Sequence, residues 1–131
     1  MSVANLEIKT GKNKEVVDIT QKIAEKLTIK SGLINVFVLH TTCSVCIAEL
    51  DPGTDQDYLD AIEEIAPKIK YRHAHNPQHA PDHIMSSMVG ASLTVPVENG
   101  NLVLGTWQSI VLIELNGPKP RKIYLTELAV D

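Results

Sequence analysis

Asn99-Gly100, set between SLTVPVE and NLVLGTW, constrains the fold of this chain more than any other dipeptide in it. A two-residue type I′ turn needs positive φ at both central positions, which Asn and Gly supply most readily, and its twist suits the strands on either side. The pair therefore predicts an antiparallel hairpin. The runs that follow extend it: WQSIVLIEL reads as a further strand, NGPKP as a turn, and RKIYLTELAV as the last strand. Pro96 cannot donate to a ladder, so it marks an edge position or a bulge.

The same punctuation organises the rest. SVANLEIKT predicts a strand with Leu6 and Ile8 on one face, GKNK a turn and EVVDI a second short strand, together a hairpin. Asp18 or Thr20 then caps a helix in which Ile23, Ala24 and Leu27 recur at helical spacing, and Ser31-Gly32 ends it. LINVFVLH and SVCIAEL are β-favouring apolar runs that predict central strands. Pro52-Gly53 breaks the chain, and Thr54 or Asp55 caps a second helix whose buried stripe is Tyr58, Ala61, Ile62 and Ile65, ending before Pro67. Its acidic residues Asp55, Asp57, Asp60, Glu63 and Glu64 lack the glycine turn and alternating oxygens of a calcium loop and read as a solvated face. The sum is seven or eight strands and three helices, mostly joined by short turns: an α+β fold with a mainly antiparallel sheet. With 131 residues, 44% of them hydrophobic, the expected organisation is one domain over 1–131.

Composition narrows the function. No run of eighteen apolar residues occurs and the N-terminus lacks a basic-then-apolar leader, so a soluble, cytoplasmic protein is expected. Net charge is −4 and the basic residues are scattered, which argues against nucleic acid and membrane as partners. Cys43 and Cys46 form a C-x-x-C, but the surrounding apolar residues predict a strand. Residues three apart on a strand face opposite ways, so core packing in a reducing compartment is the expected role.

Four of the five histidines, at 73, 75, 79 and 83, lie within YRHAHNPQHAPDHIMSSMVG. Histidine is the side chain best suited to hold a divalent metal or move a proton near neutral pH. Asn76-Pro77 and Ala80-Pro81 predict an irregular first half, after which Asp82 opens a helix that fixes His83 and ends at Gly90. The loop delivers His73 toward that helix, while His75 and His79, in its proline-rich part with less to hold them, are expected outside the site. Other chemistry-bearing residues share a placement at breaks beside apolar elements: His40-Thr41-Thr42, Glu49 and Asp51-Pro52, and Leu104-Gly105-Thr106-Trp107-Gln108. Trp107 suits either a pocket wall or the core.

HTTCSVCIAELDP, YRH and PDHIMSSMVGASLTVPVENGNLVLGTWQSIVLIELNGP together resemble the YjbQ-like family, named as secondary thiamine-phosphate synthases. The resemblance runs from about Leu33 to the C-terminus. It implies an antiparallel β-sandwich with helices on its flank, assembled as a homotrimer with sites near subunit interfaces. It places His40 on H-T-[ST], Glu49 on the acidic position before Asp-Pro, His73 on Y-x-H, His83 at the opening of the next helix, and Gly105 to Gln108 on L-G-T-W-Q. Met85 stands where a lysine is frequent, and Asn116-Gly117-Pro118-Lys119 replaces D-G-P-R, leaving Arg121 as the candidate substitute for the arginine.

The implied activity is a transferase joining an aminopyrimidine diphosphate to a thiazole phosphate with release of pyrophosphate. The expected roles are His40, His73 and His83 on a divalent metal, zinc by their donor chemistry, with magnesium suited to a diphosphate substrate. Glu49, His83 and Gln108 are expected to be catalytic, and Thr41, Thr42, Ser86, Gly105, Thr106, Trp107 and Arg121 to bind a small phosphorylated metabolite. The alternatives are a zinc-dependent hydrolase or lyase using the same histidines, with Glu49 as base, and a non-catalytic trimeric metal- or metabolite-binding protein. The apolar density of residues 33–39 and 111–115 suits subunit contact.

Overall fold

Period-two alternation and one strand buried on both faces decide the architecture. The computed structural model describes residues 1–130. Eight strands form two antiparallel sheets: β1 (Ser2–Lys9), β8 (Pro120–Ala129), β3 (Gly32–Val38), β5 (Ser92–Glu98) and β6 (Asn101–Leu102) in that order, and β2 (Glu15–Asp18), β7 (Ser109–Glu114) and β4 (Cys43–Ala48) in the other. The sheets face each other through Ile34, Val36 and Val38 of β3, Ile123 and Leu125 of β8, and Cys43, Val45, Ile110 and Leu112 of the smaller sheet. On β7 the intervening side chains Val111 and Ile113, with Leu115 just beyond, face the other way and are also buried. A strand covered on both faces needs no polar alternation, which is why IVLIEL is almost continuously apolar. Helices α2 (Thr54–Ile65) and α3 (Ala80–Val89) supply that second cover through Tyr58, Leu59, Ile62, Met85 and Val89. The result is the expected α+β sandwich, layered sheet, sheet, helices.

Several local expectations hold for their stated reasons. Asn99 and Gly100 have φ of 52° and 75°, the positive pair a type I′ turn requires, and they join β5 to β6. Cys43 belongs to the core between the sheets, whereas Cys46 packs on the helix side. Pro96 lies opposite Leu33 in β5, beyond the two-residue β6, so no ladder asks for its missing N–H on that side.

Other expectations are corrected. β1 and β2 do not form a hairpin: β1 pairs with β8 and β2 with β7, so the Gly11-to-Lys14 segment crosses between sheets. Helix α1 covers only Thr20–Ala24, because the buried Glu127 carboxylate accepts the N–H groups of Thr28 and Ile29 at 2.9 and 3.0 Å, bonds a longer helix would have kept internal. On α2 the stripe that packs toward the smaller sheet is the partly buried Tyr58, Leu59 and Ile62, continued by Ala66 just past the helix, while Ala61 and Ile65 are exposed. The NLVLGTW strand stops at Leu102, and Gly105 to Gln108 form a turn. Helix α3 begins at Ala80 rather than at Asp82, Pro81 fitting a first turn where no N–H is needed. Residues 111–115 are core rather than surface. What stays uncovered is the outer face of the larger sheet, where Leu33 lies opposite Leu128 and Phe37 opposite Tyr124, all four exposed.

Candidate functional site

The centre of the histidine-rich stretch is a contact between two imidazoles. Asn76 caps a short 3-10 turn over Pro77–His79, its Oδ1 accepting the Gln78 N–H at 3.0 Å, and α3 continues directly from it. Upstream, the Tyr71 hydroxyl donates to the Pro67 carbonyl and ties the loop to the end of α2. The loop then folds back so that His73 Nδ1 accepts the backbone N–H groups of His75 and Asn76, both at 3.2 Å. His73 Nε2 comes to 3.1 Å from Nε2 of His83, and the rings stack with centroids 4.8 Å apart and planes 22° from parallel. With its Nδ1 accepting, a neutral His73 carries its proton on Nε2 and donates it to His83. His75 and His79 lie outside this bond: the His75 ring is edge-on to His73 at 6.1 Å, and His79 Nε2 is 3.4 Å from the Asn76 carboxamide nitrogen.

His40 is engaged elsewhere. Its Nε2 accepts the Lys122 N–H at 2.8 Å, a bond only the neutral ring can accept there. Burial, reinforced by the positive Arg121, holds its pKa below the ordinary histidine value. Among the described residues no three His, Cys, Asp or Glu side chains gather as a metal site would require. For a metal, the His73–His83 spacing is suitable, since two imidazoles on one tetrahedral zinc, with Zn–N bonds of about 2.0–2.1 Å, place their nitrogens roughly 3.3 Å apart. The tautomer is not: a metal-bound imidazole donates from its other nitrogen, whereas His73 Nδ1 accepts twice. Among the described residues no third ligating side chain joins the two rings.

Arg121 and Thr42 are not offered to a ligand. Arg121 is 2% exposed and Glu114 0%. Arg121 Nε donates to Glu114 Oε2 at 2.7 Å, and its Nη2 donates to Glu114 Oε1 and to Thr42 Oγ1, the latter at 2.9 Å. Thr10 Oγ1 donates to Glu114 Oε2 at 2.7 Å and the Asn116 N–H to Oε1 at 3.0 Å. Burial by itself raises the Glu114 carboxyl, but the bonds from Arg121, Asn116 and Thr10 outweigh it and hold its pKa below the usual carboxylate value. This network ties the end of β1 and the start of β8 to β7 and the approach to β4, and it engages the guanidinium from which a phosphate contact was expected. Its one sequence signal was a glutamate inside the otherwise apolar run IVLIEL. Ser86 is buried beside the smaller sheet, and its Oγ, like that of Ser44, has no partner among the described residues.

The remaining expected residues divide between the two ends of the smaller sheet. Cys43 pairs with Glu114 and Ala48 with Ser109, five residues and about 17 Å apart along the strands. Thr41, exposed, and Thr42 flank the first pair, whereas Glu49 and Gly105 to Gln108 flank the second. Gln108 Oε1 accepts the Gly105 N–H at 2.8 Å and its own N–H returns to the Gly105 carbonyl at 3.0 Å. That locks a turn carrying the exposed Thr106 and Trp107, the indole 69% exposed and so not a core residue. Glu49 is exposed, its N–H donating to the Tyr58 hydroxyl oxygen at 3.2 Å. A single chain therefore separates the expected residues into two ends.

Related proteins carry the same fold. A UPF0047 protein of Mycobacterium tuberculosis strain H37Rv is 42% identical over 120 residues, covering 89% of this chain and 90% of that protein. The UPF0047 protein YugU of Bacillus subtilis is 39% identical over 124 residues, covering 92% and 94%. A crystal structure of a YbjQ-like protein from Sulfolobus solfataricus superposes with a TM-score of 0.88 at 34% identity, covering 98% and 97%. A hypothetical protein from Aeropyrum pernix gives 0.89 at 33% identity, covering 99% and 100%. The family model described as UPF0047 protein YjbQ-like matches residues 4–129, and the chain belongs to that family.

Proposed function

We propose that this chain is a group-transfer enzyme for a small phosphorylated metabolite, with the His73–His83 pair as its reacting centre. The observation that carries the reading is the 3.1 Å Nε2-to-Nε2 bond, with His73 oriented by two backbone amides. A pair of that kind holds a proton at a defined point and can hand it to a leaving oxygen. In the reaction that the family resemblance suggests, the bond between the aminopyrimidine methylene carbon and the diphosphate oxygen breaks. The thiazole nitrogen lone pair forms the new C–N bond, and pyrophosphate departs with the electron pair and takes up the proton. A cytoplasmic setting suits such a substrate and leaves Cys43 and Cys46 as free thiols.

A second reading is favoured by one observation, the near match of the nitrogen spacing to that of a tetrahedral zinc site. There His73 and His83 would hold a divalent ion that supplies Lewis acidity. His40 would join as third ligand only by leaving Lys122.

We further infer a homotrimer. The exposed stripe of Leu33, Phe37, Tyr124 and Leu128 supports a subunit contact. So does the separation of expected residues, because a head-to-tail contact that closes a ring sets one end of a chain against the other end of its neighbour.

Pyrophosphate release from an aminopyrimidine diphosphate with thiazole phosphate, measured beside metal content, tests these readings. Proton transfer predicts full turnover after chelation; the metal reading predicts loss of turnover, restored by zinc. His73→Ala and His83→Ala should abolish turnover in either case, while His75→Ala and His79→Ala should keep most of it. If the four variants behave alike, the pair is not the centre. Absence of turnover with trimer and metal retained would favour a binding protein.

A further inference from the structure

The contact between His73 and His83 needs two things held at once: the loop that carries His73, and the roll of α3 about its own axis, which aims His83. The loop is fixed from within, by Asn76, the 3-10 turn and the Tyr71 bond to Pro67. The helix is fixed from outside. Met85 and Val89 pack on the smaller sheet, and at the far end the Gly90 carbonyl accepts the Val45 N–H at 3.1 Å. Asp82 lies three and seven positions before Met85 and Val89, on the same face at the opposite end of the helix.

A single lysine meets that face. Lys14 Nζ donates to Asp82 Oδ1 and to the Leu115 carbonyl, both at 2.5 Å, and the Asp82 side chain is only 16% exposed. Lys14 is itself well anchored, at the end of the crossing between sheets. There Asn13 Nδ2 donates to the Gly117 carbonyl at 3.2 Å, the Gly117 N–H donates back to the Asn13 carbonyl at 2.9 Å, and the Gly11 N–H donates to Glu15 Oε1 at 2.8 Å. Among the described residues, the Lys14–Asp82 contact is the only side-chain hydrogen bond or ion pair that joins residues 67–89 to the rest of the chain. Apolar packing resists separation of a helix from a sheet but constrains its roll weakly, because such contacts are not directional. Helical side chains reach about 5–6 Å from the axis, so a roll of about 15° moves one by roughly 1.5 Å. That suffices to take the 3.1 Å contact between His73 and His83 out of hydrogen-bonding range.

We propose that Lys14 and Asp82 are positioning residues of the histidine pair: their contact sets the roll of α3 and thereby the His73–His83 bond. Any effect on turnover rests on the reading of that pair as the reacting centre, whereas the effect on the bond does not.

Nitrogen-15 NMR of the full chain with labelled histidine, recorded in chelator at a fixed pH of about 8.5, where ordinary histidines are neutral, tests it. In the parent, His73 donates from Nε2, so His83 accepts at Nε2 and carries its own proton on Nδ1. Lys14→Met should release His83 to a mixture of its two tautomers, and Asp82→Ala should do the same. Lys14→Arg, which keeps a cation within reach of Asp82, should restore the single form, and Lys12→Met, in the same crossing, should leave it untouched. The Lys14 side chain is 43% exposed, and so open an ion pair adds little to stability, so Tm should fall by no more than about 4 °C. A purely structural role would lower Tm and leave the His83 spectrum as it was. Turnover of Lys14→Met should drop about tenfold or more, since misplacement by about 1 Å can cost on the order of 100-fold. An altered spectrum with full turnover would keep the positioning role and remove the pair from the reaction. A parent-like spectrum in Lys14→Met, an equal change in Lys12→Met, or no restoration by Lys14→Arg would each overturn the proposal.

Discussion

Replacing Arg121 by Met leaves the Glu114 carboxylate buried at 0% exposure without its cation, and replacing Glu114 by Leu leaves the Arg121 guanidinium in the same position. Breaking a buried ion pair from one side costs about 3–5 kcal/mol, because the remaining charge is desolvated and uncompensated. The pair here has four further bonds: replacing Arg121 loses the two to the Thr42 hydroxyl and carbonyl and leaves Glu114 those from Thr10 and Asn116, so a cost within that range is expected. For a chain of 131 residues the unfolding entropy near the midpoint is roughly 0.28 kcal/mol per kelvin, which turns about 3–5 kcal/mol into a fall of roughly 10–20 °C in Tm. The double variant Glu114→Leu with Arg121→Met removes both charges and should recover most of the loss. Circular dichroism melts and urea titrations of the four proteins complete the cycle. A single Arg121→Met variant within about 1 kcal/mol of the parent would refute the network as described, and so would a double variant that adds both losses in full.

Acidification reads the same groups by another route. Glu114 and Glu127 have folded pKa values below their ordinary 4.5, so their contribution is complete above that pH and disappears as pH falls through the lower folded values. His40, held below 6.5, adds stability that is full above pH 6.5 and declines below it; His40→Gln should remove that upper part of a stability-against-pH curve. Gly32→Ala should destabilise strongly, since φ is +145° and a Cβ would overlap the Leu128 carbonyl oxygen; a melting midpoint like the parent's would contradict the β3–β8 register. The Cys43 thiol, raised to about 11 mainly by burial, should resist alkylation at neutral pH in the folded chain, and Cys43→Ala with Cys46→Ala should leave metal content unaltered.

What was legible in the sequence was local. Asn99-Gly100 specifies its own turn because the required φ signs belong to those two residues, and the alternation in β3 specifies its buried face because side chains reverse at every step. The stop at Gly90 and the opposed faces of Cys43 and Cys46 follow from similarly short-range geometry. The partners of those elements were not legible. GKNK reads equally well as a hairpin turn or as a crossing between sheets, and only the competition of β8 and β7 for β1 and β2 decides it. A helix continuing past Ala24 is locally reasonable, yet Glu127, 99 residues from Thr28, takes its backbone donors. The site divides along the same line. His73 and His83, ten positions apart, meet across a stretch of loop, 3-10 turn and first helical turn that the prolines and Asn76 shape locally, whereas His40 and Arg121 are claimed by Lys122 and Glu114, whose proximity arises only once both sheets have closed. Short-range stereochemistry is written residue by residue, but which buried charge finds which partner depends on desolvation, and that exists only in the assembled core.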